Sequence, residues 1–163
     1  MSSFAPGLFD KLMGGNGRAN AHGIVTRLTL EELKDTVARD LESLLNTRAV
    51  IEEEILKPFP ECGKSIVAYG LNDFAGLSLA STEDRAHICR CLEESIDRHE
   101  PRLRNVQASL ELQDGSINRL NFAITAMLVV NTAQEPVNFD AVLQPSTLQY
   151  SISKSRNPVR IGL

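Results

Sequence analysis

The chain has 163 residues, 42% of them apolar and 23% charged, with 17 Lys and Arg against 21 Asp and Glu. This describes one globular domain, long enough to bury roughly 70% of the surface its unfolded form exposes with no metal or disulfide to complete the core. A net charge of −4 argues against affinity gained by neutralising many phosphates, and no Trp with only 2 Tyr leaves little to stack beneath bases or sugars, so neither nucleic acid nor carbohydrate is expected as a partner.

Residues 1–27 place Gly7, Gly14, Gly15, Gly17 and Gly23 among Ala, Asn and Ser, a composition expected to form a flexible arm. Within it Leu8, Phe9, Leu12 and Met13 recur at helical spacing, a short stripe that needs something to pack against, either its own domain or another protein. No signal-peptide pattern follows Met1, no apolar run approaches the ~18 residues of a membrane span, and Cys62, Cys89 and Cys91 form an odd set suited to a reducing compartment. The expected location is the cytoplasm, with no direct membrane insertion.

The first helix opens at Thr29, which with Glu32 makes a capping-box pattern, and Leu33, Val37, Leu41, Leu44 and Leu45 fall on its inner face. Ala49–Lys57 either prolongs it or forms a second piece, ended by Pro58 and Pro60, and residues 61–79 carry no readable period. A second long helix begins near Ser81 or Thr82, buries Ile88, Leu92 and Ile96, and stops before Pro101.

The period then changes to two. Val106, Ala108, Leu110 and Leu112 alternate with polar residues, Asp114-Gly115 marks a turn, and Leu120, Phe122, Ile124, Ala126, Leu128 and Val130 alternate again, predicting a hairpin with one buried face. Val137–Leu143 and Thr147–Ser153 are further strands. The expected fold is α+β, with two or three helices packed on one face of a mostly antiparallel sheet of about four strands. The expected organisation is an arm over 1–27, one domain over 28–153, and a basic tail over 154–163 with Lys154, Arg156 and Arg160.

No arrangement predicts a reaction. Glu52-Glu53-Glu54 and Glu93-Glu94 are adjacent helical positions whose side chains diverge by about a hundred degrees, and they read as a solvated face. Cys89 and Cys91 stand two residues apart on a helix and cannot grip one ion together, although His87 and Cys91 share a face. No nucleophile elbow and no glycine-rich phosphate loop is present. Catalytic residues, metal and cofactor are therefore all expected to be absent.

The feature that stands out is Glu100-Pro101-Arg102, at the junction of the second long helix and the first strand. Projecting the strand's alternation back from Val106 puts Arg104 and Arg102 on the buried parity, at the core-side rim of the sheet. A partly desolvated guanidinium needs an acceptor, either Glu100 within the domain or a partner's carboxylate or helix C-terminus.

Leu8-Phe9-Asp10-Lys11-Leu12, Leu44-Leu45-Asn46-Thr47-Arg48, Tyr69-Gly70-Leu71-Asn72-Asp73, Glu100-Pro101-Arg102-Leu103, the alternating Leu120, Phe122, Ile124 and Ala126, and Pro136-Val137-Asn138-Phe139-Asp140 follow one another in an order that is specific as a set. In this the chain resembles the TssE proteins of type VI secretion baseplates, related to the wedge protein of contractile phage tails in the GPW group. Asn72 departs from the pattern, which has proline there.

The resemblance implies a structural part that joins TssF and TssG in a wedge and helps initiate the TssB–TssC sheath, with the spike hub and TssK as further neighbours, recruited to the inner membrane through the assembled baseplate. It implies that Glu100, Pro101 and Arg102 grip the partners' helical core bundle, with Arg104 beside them and Leu8, Phe9, Leu12 and Met13 as a separate docking surface. A sheath arm is expected to add to an unpaired sheet edge, for which the last strand, through Leu148, Tyr150 and Ile152, is the candidate. Replacing Arg102 by Ala is expected to abolish partner binding and leave stability nearly unchanged. The rival readings are a peptidoglycan-degrading, lysozyme-like enzyme and a regulatory anti-adaptor on the same fold.

Overall fold

The computed structural model describes residues 28–74, 76–78, 80–111, 120–130, 133–144, 147 and 149–155. The stripe Leu8, Phe9, Leu12 and Met13, the turn at Asp114-Gly115, and Leu148 lie outside the described residues. Contacts gather the chain into two units, one running to Val37 and the other beginning at Ala38.

Helix α1 spans Leu30–Leu45 and crosses that division. In the first unit its start is the predicted capping box: the Thr29 N–H donates to Glu32 Oε2 at 2.7 Å, and the Glu32 N–H donates to Thr29 Oγ1 at 3.3 Å. Leu33 and Val37 are buried there. In the second unit Leu41, Leu44 and Leu45 continue the apolar stripe and are buried as well.

The chain then leaves α1 in extended form, and Arg48 bridges Leu71 in parallel: the Leu71 N–H donates to the Thr47 carbonyl at 2.8 Å, and the Ala49 N–H to the Leu71 carbonyl at 2.9 Å. Between these strips lie α2 (Glu53–Leu56) and two 3-10 turns, Cys62–Lys64 and Ile66–Ala68. Val50, Ile55, Phe59, Ile66 and Val67 are exposed along this stretch, so its apolar residues follow no core-facing period.

Helix α3 spans Thr82–His99, capped by Ser81, whose Oγ accepts from the Asp84 N–H at 3.2 Å. Ile88, Leu92 and Ile96 are buried at four-residue spacing, and the helix stops where Glu100 precedes Pro101. Four antiparallel strands follow in the order β1 (Leu103–Glu111), β2 (Leu120–Val130), β3 (Ala133–Gln144) and β4 (Gln149–Lys154). Helix α3 runs against β1. The inner face carries Phe122, Ile124, Ala126 and Leu128 from β2 and Val137, Phe139 and Ala141 from β3, all buried. Each large member contributes about 1.5–3 kcal/mol by leaving water. Pro136, which has no N–H to give, sits opposite Met127 in the part of β3 that β4 does not reach, since β3–β4 pairing starts at Phe139.

One expectation is corrected by β1. Its pairing with β2 shifts by one residue between Arg104 and Gln107, and Asn105 there has φ 53°, a left-handed conformation that Asn tolerates better than most residues. This bulge inserts an extra residue, so the alternation read back from Val106 arrives one step out of phase. Leu103, not Arg104, enters the core, and Arg104 is exposed.

Candidate partner-binding site

The corner between α3 and β1 is built by residues far apart in the chain. Gly70, with φ 122°, fits where any side chain would collide: a Cβ there would stand 2.5 Å from the Thr47 carbonyl oxygen and 2.8 Å from the Ala49 nitrogen. Ser95 Oγ donates to the Gly70 carbonyl at 2.9 Å from a buried position on α3, and His99 Nε2–H donates to the Ala68 carbonyl at 3.0 Å. Tyr69 meets the His99 ring edge-on, centroids 5.3 Å apart. Burial, and then the charge of Arg98, hold the His99 pKa below its ordinary value, against the opposing pull of the Ala68 carbonyl. Residues 68–71 are thereby strapped between the end of α1 and the last turns of α3.

Against this strap lies the ion cluster. Glu100 is 5% exposed, and a carboxylate so placed needs compensation. Arg102 supplies it: Nε donates to Glu100 Oε1 at 2.7 Å, and Nη2 donates both to Glu100 Oε2 and to Asp40 Oδ2. The Arg102 main-chain N–H adds a bond to Glu100 Oε1 at 3.2 Å, which the turn enforced by Pro101 makes possible. The hydrogen bond to Glu100 is the first cause of a raised guanidinium pKa, outweighing desolvation. Tyr69 reports the same field: burial first, then the charges of Asp40 and Glu100, push its hydroxyl above the ordinary tyrosine value.

Three of the five guanidinium N–H groups, that of Nε and both of Nη2, are thus engaged. Among the described residues Nη1 makes no hydrogen bond, and the Arg102 side chain is 29% exposed. Internal pairing with Glu100 and unused donors on Nη1, which the sequence presents as alternatives, coexist. Pro101 and Arg104 are exposed beside the cluster. Asp40 is the member that sequence reasoning missed; its one signal is a charged residue immediately before the buried Leu41 on α1.

The outer edge of β4 is a different case. Asn46, at the end of α1, treats Tyr150 as a neighbouring strand would: Nδ2 donates to the Tyr150 carbonyl at 2.9 Å, and the Tyr150 N–H donates to Oδ1 at 2.7 Å. The Ile152 N–H donates to Glu42 Oε2 at 2.8 Å. Tyr150 is buried and Ile152 half-buried. The expectation of an unpaired edge at these two residues is therefore corrected, because α1 side chains already bond both outward N–H groups and the Tyr150 carbonyl. The opposite edge is guarded in the same way at Ala108, whose N–H donates to Glu93 Oε1 at 2.7 Å.

The other chemistry-bearing residues stay apart. Glu54 pairs with Lys57, and no group of His, Cys, Asp and Glu suited to a metal occurs among the described residues. A hollow of about 180 Å³ is lined by Leu45, Leu71, Phe74, Ile88, Phe122 and Tyr150 with the Arg48–Asp73 ion pair, a lining for apolar contact rather than acid–base work.

The family model described as "Baseplate wedge protein gp25" matches residues 31–133, which span α1 to β2 and include the whole corner. The comparison with curated proteins returns no match. A solved structure described as "The baseplate complex from the type VI secretion system" contains a similar chain, with 19% identity and a TM-score of 0.44 over 70% of this chain and 96% of that one.

Proposed function

The chain belongs to the baseplate wedge protein gp25 family, and from that premise we propose that it is the wedge component joining a TssF–TssG complex to the contractile TssB–TssC sheath of a type VI secretion baseplate, without catalysing a reaction. Family membership makes it a structural part of a baseplate. The type VI assignment rests on the run of sequence motifs, above all Tyr69-Gly70 and Glu100-Pro101-Arg102, which the fold brings to one corner. In this reading the baseplate brings a cytoplasmic protein to the inner membrane, and the Leu8–Met13 stripe is a second docking surface.

The observation that carries the partner contact is the half-used guanidinium. Glu100 and Asp40 take up the Nε and Nη2 donors of Arg102, and the two donors of Nη1 stay unused among the described residues. A carboxylate or the terminal carbonyls of a helix in the partners' core bundle can accept from them. The sheath contact is proposed along β4, where an incoming main chain takes over the bonds that Asn46 and Glu42 now make to Tyr150 and Ile152.

Arg102→Lys tests the grip. Lysine keeps a charge for Glu100 and loses the planar fork, so the variant should melt within a few degrees of the parent and fail to co-purify with TssF–TssG. Co-purification at the parent level would show that the Nη1 donors of the fork are not used.

A further inference from the structure

The two carboxylates on Arg102 do different work. Glu100 belongs to the same turn, two residues away, and moves wherever that turn moves. Asp40 sits 62 positions earlier, on α1, so its bond is the one that ties the guanidinium to a separate element. We infer that Asp40 is a positioning residue for the partner contact: by anchoring Nη2 to α1 it fixes the plane of the fork and holds the unused Nη1 donors in one place for an acceptor-bearing partner.

The inference rests on the Arg102 grip proposed above and adds to it a residue outside the Glu-Pro-Arg motif. Without Asp40, the fork remains clamped to Glu100, but the turn carrying both can shift against α1. The cost of refixing it then falls on binding rather than on folding. The Asp40 side chain is 48% exposed, so removing it uncovers no buried charge. The charge of Glu100 stays compensated by Arg102 in that variant.

A double-mutant cycle measured against the purified TssF–TssG complex, with Asp40→Ala and Arg102→Lys alone and together, separates the possibilities. Asp40→Ala should bind about tenfold more weakly at nearly parental melting temperature, and it should add less than about twofold to the loss already caused by Arg102→Lys. Asp40→Asn, which retains an acceptor at the same place, should bind within about threefold of the parent. Parental affinity in Asp40→Ala, or losses that multiply in the double variant, would overturn the inference, the second because Asp40 would then touch the partner on its own account. An innocuous Arg102→Lys would instead sink the grip itself and is read separately.

Discussion

The corner after α3 and the outer edge of β4 are both places where side chains of α1 answer polar groups from elsewhere in the fold, and they end in opposite states. At β4 the amide of Asn46 matches the N–H and the carbonyl of one residue, Tyr150, and with Glu42 it satisfies the outward N–H groups of Tyr150 and Ile152. At the corner a guanidinium has more donors than Glu100 and Asp40 take up, so two are left over. The difference is one of valence. One amide can answer the outward donor and acceptor of one strand residue, whereas a five-donor fork bound through Nε and Nη2 still has the two donors of Nη1.

The largest effect expected from breaking this contrast comes at the corner. Arg102→Ala removes the compensation of a carboxylate that is 5% exposed, and urea unfolding should register a loss of about 3 kcal/mol or more. This replaces the expectation of unchanged stability for that substitution. The near-parental stability of Arg102→Lys provides the contrast, and an Arg102→Ala protein as stable as the parent would mean that Glu100 finds another partner or a proton.

Next in size is the response to alkali, because each region holds one of the chain's 2 tyrosines. Burial first, with the charge of Cys89 second, pushes Tyr150 from 10.0 up to about 12. The folded form therefore holds this proton more tightly than the unfolded form. The contribution is complete below pH 10 and is lost as pH rises through about 12, a difference of about 2–3 kcal/mol. Unfolding midpoints measured between about pH 9 and pH 12 should fall across that window; a flat profile would mean that the hydroxyl is hydrated. The absorbance titration should also show Tyr69 returning toward 10.0 in Asp40→Asn, since Asp40 is one cause of its raised value.

The smallest effect is expected at β4. Asn46→Ala deletes both bonds to Tyr150, but water can reach an edge strand, so the cost should be about 1–2 kcal/mol. Hydrogen exchange at the Tyr150 amide should accelerate well beyond that at inner-strand amides. Unchanged protection there would mean that the edge is covered by something other than Asn46.

What the sequence made legible was local. Thr29 with Glu32 located the start of α1, Pro101 located the end of α3, and the change of period at Val106 separated helices from sheet. Glu100 and Arg102 were visible as a possible pair because both sit beside the proline, but the alternation that put Arg102 at the rim is out of phase there as it is at Arg104, and Glu100 and Asp40 are what hold Arg102 half-buried. Asp40, Asn46 and Glu42 were not visible in their roles, since each acts on residues 62 to 110 positions away and nothing in the surrounding helix distinguishes a cap from a solvated side chain. The phase error at Arg104 has the same origin in reverse: alternation extrapolates through a bulge without registering it, and Asn105 alone is too weak a marker to stop it.

That extra residue has a further consequence. It works as a phase shifter in a two-beat rhythm, placed just past the corner and before the long paired run of Gln107 to Glu111. Losing one residue there would exchange Leu103 and Arg104 between interior and surface while leaving the later beats of the strand untouched. A single-codon deletion or insertion at this point offers a chain of this kind a short route to re-aiming its corner at a different counterpart, with the rest of the sheet inherited unchanged.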